Sequence, residues 1–339
     1  MEHTQIEKSH VKETEEKEAE EKSTFKKIVN WLVDNVKFLL IPFSRYEELS
    51  KKEFKYEKTT SQRQFLRRLK SPLTMIGIII IFVIISMAVF PHWLSPYPRD
   101  ALIGYYPGEF YDPPSPAHPL GQTGFGYDLL AICIFGARAS LTVALPSILF
   151  SVVMGLILGM IAAYYRGIID AIIMRVMDML MAFPPLVLAL VIVGTFGAEM
   201  EYIMLAYGVL GIPFYARLIR GSVLQAKSLP YVDSAKVAGA GNFRIMFRHI
   251  LPNVIQPIVI SFTFDIGGII LSLAGLSFLG FYDHTLIEWG YYINVGAGEI
   301  ARAPWASFWP GVMIIITVLG FMLLGDGLRD AFDPRLKNL

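Results

Sequence analysis

Charge is scarce in this chain. Asp, Glu, Lys and Arg make up 17% of its 339 residues, where an ordinary soluble domain carries about 25%. A hydrophobic share of 54% excludes a chain disordered throughout, and the mean hydropathy is +0.49. The net charge of +1 provides no global field to draw it to nucleic acid. A single cysteine, Cys133, excludes an internal disulfide and any multi-cysteine zinc site. No Gly-x-x-x-x-Gly-Lys-Ser/Thr phosphate loop occurs, so the chain does not hydrolyse ATP by that route. His-Glu-x-x-His is absent, and the six histidines lack zinc-ligand spacing. Gly275-Leu276-Ser277-Phe278-Leu279-Gly280 is not a Gly-x-Ser-x-Gly elbow. No catalytic residue, metal ligand or cofactor of its own is expected, and a membrane-embedded enzyme is disfavoured.

The abundant apolar residues lie in blocks of about 20, the length that crosses a hydrocarbon core as a helix. Six such spans are expected, at about 72–90, 140–165, 172–196, 201–219, 253–280 and 307–328. The Ile-rich runs are not strands, because an isolated strand leaves its backbone groups unsatisfied in lipid. The predicted class is all-α, a polytopic bundle of six transmembrane helices.

Six spans place both termini on one side. With that side inside, 27 of the 30 Lys and Arg are cytoplasmic, and only Arg99, Arg138 and Arg302 fall outside. Residues 1–24 are half charged with eight Glu, so no cleavable signal peptide is expected and the first span directs insertion. The expected organisation has an N-terminal extension (1–62), then a basic lead-in with the first span (63–91). A Pro-rich outer loop (92–139), a five-helix core (140–328) containing a loop at 221–252, and a C-terminal tail (329–339) follow. Residues 25–40 have helical apolar periodicity, fitting an in-plane helix on the membrane or one packed on another subunit. The outer segment from Pro91 to 139 holds eight of the 20 prolines with several tyrosines, an irregular cap and a possible contact surface for an external partner.

The loop between the fourth and fifth spans carries the most information. Pro230 is placed to start a helix, and Asp233 suits its first turn. Small residues at 234, 235 and 238 keep that helix thin. Gly239 and Gly241 end or bend it, Asn242 is placed to cap a second short helix, and Leu251-Pro252 to close that one. Two short capped pieces under a bundle make a docking element.

That loop resembles the Glu-Ala-Ala loop of ATP-binding-cassette importer permeases. Asp233-Ser234-Ala235 stand at the Glu-Ala-Ala positions, followed by Gly239 and then Leu251-Pro252. The dipeptide/oligopeptide/nickel subfamily, C-type subunit, is the nearest pattern. His118-Pro119-Leu120-Gly121, Ala182-Phe183-Pro184, Leu276-Ser277-Phe278-Leu279-Gly280 and Gly325-Asp326-Gly327-Leu328-Arg329-Asp330 with Asp333-Pro334-Arg335 extend it over about 63–337. Asp233 is one methylene shorter than the family's Glu, and Tyr127 stands where Arg is usual.

The resemblance implies a type I importer permease bundle with coupling helices. It implies a second homologous permease subunit, two cytoplasmic ATPases carrying the ATP and Mg, and an external solute-binding protein. Asp233, Ser234, Ala235, Gly239, Gly241, Leu251 and Pro252 would couple to the ATPases. The solute would be a peptide, with nickel chelates or oligosaccharides as alternatives. A secondary transporter or channel fits less well, since it needs no docking pair and usually shows paired broken helices. Asp265, halfway along the fifth span, and Asp178, in the third, are the intramembrane charges that could meet the solute path. An internal hydrogen-bond partner for Asp265 and a structural ion pair for Asp178 are the competing readings.

Overall fold

The computed structural model describes residues 69–102 and 111–332. The 25–40 helix, most of the basic lead-in and Asp333-Pro334-Arg335 lie outside the described residues. Those described are helical, with no strand and one isolated bridge between Gln122 and Asp128. Five helices are long and apolar enough to cross a membrane, and a sharply bent pair makes a sixth crossing if counted as one span.

Helix α1 (Pro72–Val89) starts where Ser71 Oγ accepts the Thr74 N–H at 3.3 Å. It buries Thr74, Gly77, Ile81 and Ile84 at three- to four-residue spacing and turns the rest outward. Pro91 opens the single turn α2 (Pro91–Leu94), and a 3₁₀ turn follows at Arg99–Leu102.

Helix α3 (Leu129–Tyr165) begins eleven residues before the expected 140. Asp128 Oδ1 accepts the Ala131 N–H at 2.8 Å and caps it. Residues 129–139 are therefore helix, not Pro-rich loop. They are buried by protein: Trp289 Nε1 donates to Cys133 O, and a Cβ on Gly136 would lie 2.2 Å from that nitrogen.

The third expected span is broken. Helix α4 (Gly167–Met181) and helix α5 (Pro185–Phe196) meet at 84°. Pro184 and Pro185 supply no N–H, and each pushes the residue before it out of the α region. This is the one bent pair among the described residues, so the paired broken helices of many secondary transporters are absent there.

Helix α6 (Met200–Lys227) runs beyond the expected end at 219. It packs on α3, where Gly155 and Gly159 admit its backbone. A Cβ on either would lie 2.4 Å from Tyr215 Cβ or Ala216 O, respectively. Helix α7 (Pro230–Val237) follows a tight turn. The expected second helix and fifth span are one rod. A helical turn (Asn242–Arg244) passes through a wide π turn (Ile245–Ile250) into α8 (Leu251–Phe278). Leu251-Pro252 does not close a helix, because Pro252 stands at the start of α8, where its missing N–H costs little. Helix α9 (Trp289–Ala297) caps the far end, and α10 (Trp305–Phe332) packs on α1 and α8.

Candidate functional site

Helix α7 is fixed by one face and open on the other. Val232 and Ala235 are buried in the main core with Ile245, Met246 and Ile250. Ala235 therefore serves the chain's own packing rather than an outward surface. The helix stops by a two-bond cap: Gly239 N–H donates to Lys236 O at 2.9 Å and Ala240 N–H to Ala235 O at 3.0 Å. Gly239 has φ +78°, and no atom lies within 4 Å of its missing Cβ, so conformation and not space demands glycine. Gly241, not Asn242, occupies the cap position of the next turn. Asn242 Oδ1 instead accepts the Tyr164 hydroxyl at 2.8 Å, tying the loop to the end of α3.

The open face mixes charge with apolar surface. Asp233 is exposed and its carboxylate accepts from Lys236 Nζ at 2.8 Å. Ser234 is exposed, with its hydroxyl turned back to Pro230 O. Val237 is 91% exposed and Phe243 74%, the latter's ring 4.5 Å from Phe247.

A second site lies inside the bundle. Tyr215 donates to Asp265 Oδ2 at 2.6 Å across α6 and α8. The pair lines a cleft of about 250 Å³ with Ser151, Pro185, Tyr207 and Phe214. Asp265 thus has an internal partner and also a cleft-facing position. Tyr207 and Ser151 direct their hydroxyls to Ser272 O and Gly208 O. Asp178 lies elsewhere: Arg217 of α6 reaches it at 2.5 Å, and both side chains are about half exposed. The structural ion pair expected for Asp178 is thus made by Arg217, and not by Arg175 one turn earlier on α4. Arg220 grips Asp170 through two bonds of 2.6 and 2.7 Å, so two ion pairs pin α4 to α6. Met177 is buried against Ile212 and Ala216, while Met179 and Met181 are exposed. No group of three metal-ligating side chains occurs among the described residues.

The far end holds groups that sequence reasoning missed. Glu288 precedes α9, is 3% exposed, and its Oε1 has no hydrogen-bond partner. Burial, then the charge of Asp283, pushes its carboxyl up to about 8. Asp283 is held below its usual value. Burial opposes ionisation there, but bonds from the Thr285 hydroxyl and N–H and from the Met200 N–H outweigh it. Nothing in the local pattern distinguishes Glu288 from a surface acid except Trp289 beside it. Nearby, His118 Nδ1 lies 3.0 Å from Asp128 Oδ2, and Gln122 Nε2 sits 2.9 Å from His118 Nε2. The His118-to-Asp128 motif is thereby closed into one knot, with Tyr127 buried beside it.

Known proteins are similar to this chain in sequence. Residues 155–338 match the family described as binding-protein-dependent transport system inner membrane component, and residues 61–114 match the N-terminal TM domain of oligopeptide transport permease C. The glutathione transport system permease protein GsiD of Pectobacterium atrosepticum is 38% identical over 281 residues, 82% of this chain and 93% of that protein. The dipeptide transport system permease protein DppC of Alkalihalophilus pseudofirmus is 35% identical over 288 residues, 84% and 94% of the two chains. A solved structure titled as an amino acid ABC transporter with histidines aligns with TM-score 0.47 at 19% identity, covering 61% of this chain and 95% of that one. The chain belongs to the binding-protein-dependent transport system inner membrane components, as a multi-pass permease subunit of the dipeptide/oligopeptide/nickel subfamily of ATP-binding-cassette importers.

Proposed function

We propose that this chain imports peptides, and that α7 and the 239–252 segment couple it to ATPase subunits on separate chains, which carry the ATP and Mg. A second homologous permease completes the path, an external binding protein delivers the solute, and both termini are cytoplasmic. The observation that carries the coupling role is the two-sidedness of α7. Its inner face is fixed in the core and its outer face leaves Val237 uncovered along with Asp233, while Phe243 in the following turn is also exposed. A push on such a helix cannot be absorbed locally. It passes to the continuous rod from Asn242 to Phe278, 37 residues and about 55 Å long, and so reaches Asp265 in the cleft. Rigid-body alternation then opens the cleft to either side. Asp265, held by Tyr215, is the solute-path candidate, and Asp178 is spent on Arg217. The peptide assignment rests on relatives named for glutathione and dipeptide transport.

The test is uptake by proteoliposomes holding the complete complex with its binding protein, offered a dipeptide, glutathione, a nickel chelate and an oligosaccharide in turn. ATP-dependent uptake of the peptides alone is expected. Uptake of only the chelate or sugar would overturn the substrate, and uptake independent of ATP would overturn the coupling. Gly239→Leu should abolish solute-stimulated ATP turnover in a folded complex, because a side chain at φ +78° distorts the end of α7. Wild-type turnover in that variant would remove α7 from the coupling path.

A further inference from the structure

A pocket of about 350 Å³ opens where α1, α2 and the 3₁₀ turn meet α3, lined by His92, Arg99, Asp100, Arg138 and Thr142 among others. Its depth follows from α1. Eighteen residues rise about 27 Å, nearly the whole hydrocarbon core, so Val89 and Phe90 stand at a membrane interface. Trp93 of α2 is 86% exposed and Phe90 is half exposed, the aromatic surface expected at headgroup level.

Charge is concentrated there against the grain of the chain. Among the described residues, the only Lys and Arg in the segments that join helices at the end reached by α1, or in the first turns of α3 there, are Arg99, Arg138 and Arg302. Two of those three line this pocket. Neither forms an ion pair with a carboxylate among the described residues. Arg138 spends two of its five N–H groups on Ala88 O at 2.7 Å and Val89 O at 3.0 Å, the last carbonyls of α1. Arg99 donates to Thr285 O. Both keep further donors, and Asp100 at the rim offsets only one of the two charges. A planar guanidinium pair in a low-dielectric interface matches a phosphate.

The surface below the pocket is apolar and uncovered. On α3, Leu145 and Leu149 continue the helical face of Thr142 and are exposed. On α1, Val89, Ile85 and Phe82 form a second exposed row descending from the same end. Leu149 lies eleven residues below Arg138, about 16 Å along the helix, which is the depth of one leaflet.

We propose that this pocket is a binding site for an anionic phospholipid, its phosphate held by Arg99 and Arg138 and its acyl chains laid on the exposed rows of α1 and α3. A zwitterionic lipid brings its own cation to the arginines and is held less well. Nothing here depends on which solute is carried.

The permease complex is delipidated in detergent and titrated with dioleoyl phosphatidylglycerol or dioleoyl phosphatidylcholine, with bound lipid counted by native mass spectrometry. Phosphatidylglycerol is expected to bind about tenfold more tightly, one charge-assisted hydrogen bond's worth of discrimination. Arg99→Gln should erase the preference while leaving Arg138 to hold the end of α1. The double variant Leu145→Asn/Leu149→Asn should weaken phosphatidylglycerol binding without changing the response to inorganic phosphate. Equal retention of the two lipids, or an unaltered preference in Arg99→Gln, would overturn the proposal. Full displacement of phosphatidylglycerol by millimolar inorganic phosphate, together with no effect of the leucine variant, would overturn it in favour of a free-anion site.

Discussion

Glu288 and Asp233 are both carboxylates, and burial gives them opposite roles. A fully buried Glu with no partner at Oε1 is held neutral in the fold, with a carboxyl near 8 against an ordinary value of 4.5. The folded state therefore binds a proton that the unfolded state releases. Stability contributed by this group is present below about pH 4.5 and falls as pH rises through about 8, by about 1.4 kcal/mol per unit at most. Glu288→Gln, neutral at every pH, should flatten the thermal-stability profile of the purified complex between pH 6 and 9. Parallel profiles for the two proteins would show that Glu288 is not the titrating group. Asp233, exposed and paired only with the neighbouring Lys236, adds about 0.5 kcal/mol or less to the fold. Asp233→Ala should therefore leave thermal stability unchanged yet weaken ATPase binding by about tenfold or more at low salt, since losing one side of an interface charge pair costs 1–5 kcal/mol. Asp233→Glu should match or exceed the wild type. Equal affinity for Asp, Ala and Glu would return Asp233 to a helix-start residue. The sequence marks Asp233 by its place in a motif. Glu288 is invisible there, because its burial exists only in the folded chain.

At the scale of elements, composition locates the membrane helices and misplaces their joints. The apolar run at 129–139 reads as loop because a proline-rich segment precedes it, but that segment ends at Pro119 and Asp128 caps a helix from Leu129. Pro184-Pro185 sits inside a run apolar enough to span, so hydropathy alone joins α4 and α5 while backbone sterics bend them by 84°. Pro252 reads as a stop, but the π turn before it lets the rod continue. The Gly155-x-x-x-Gly159 spacing is weak as a motif and strong as geometry. Gly159→Ala would set a methyl 2.4 Å from Ala216 O, backbone that cannot step aside without parting α3 from α6. We expect a loss of about 1–3 kcal/mol, read as a lower melting temperature of the complex. Gly311→Ala on α10, with nothing within 4 Å, is the control and should melt like the wild type. Equal melting of both variants would mean that α3 and α6 do not depend on this close approach.

At the scale of the whole molecule, what the sequence makes legible is the part it shares with its relatives. The helical class and the apolar membrane-crossing segments are legible in residues 63–337. The Arg217–Asp178 and Arg220–Asp170 pins need three dimensions, because each joins residues far apart in sequence, and the burial of Glu288 exists only in the folded chain. The N-terminal extension is different in kind. Family resemblance begins at residue 61, and the relatives reported above align to 82% and 84% of the chain. Every group assigned a role here, from the cleft at Asp265 to the face of α7, lies beyond that point. Deleting residues 1–60 should therefore leave ATP-driven uptake and its stimulation by solute unchanged, measured in proteoliposomes with the full set of partner subunits. The basic lead-in at 63–70 remains in that variant to anchor the first span, so insertion and topology should also survive. A complex that no longer assembles after the deletion would show that the 25–40 segment is a subunit contact.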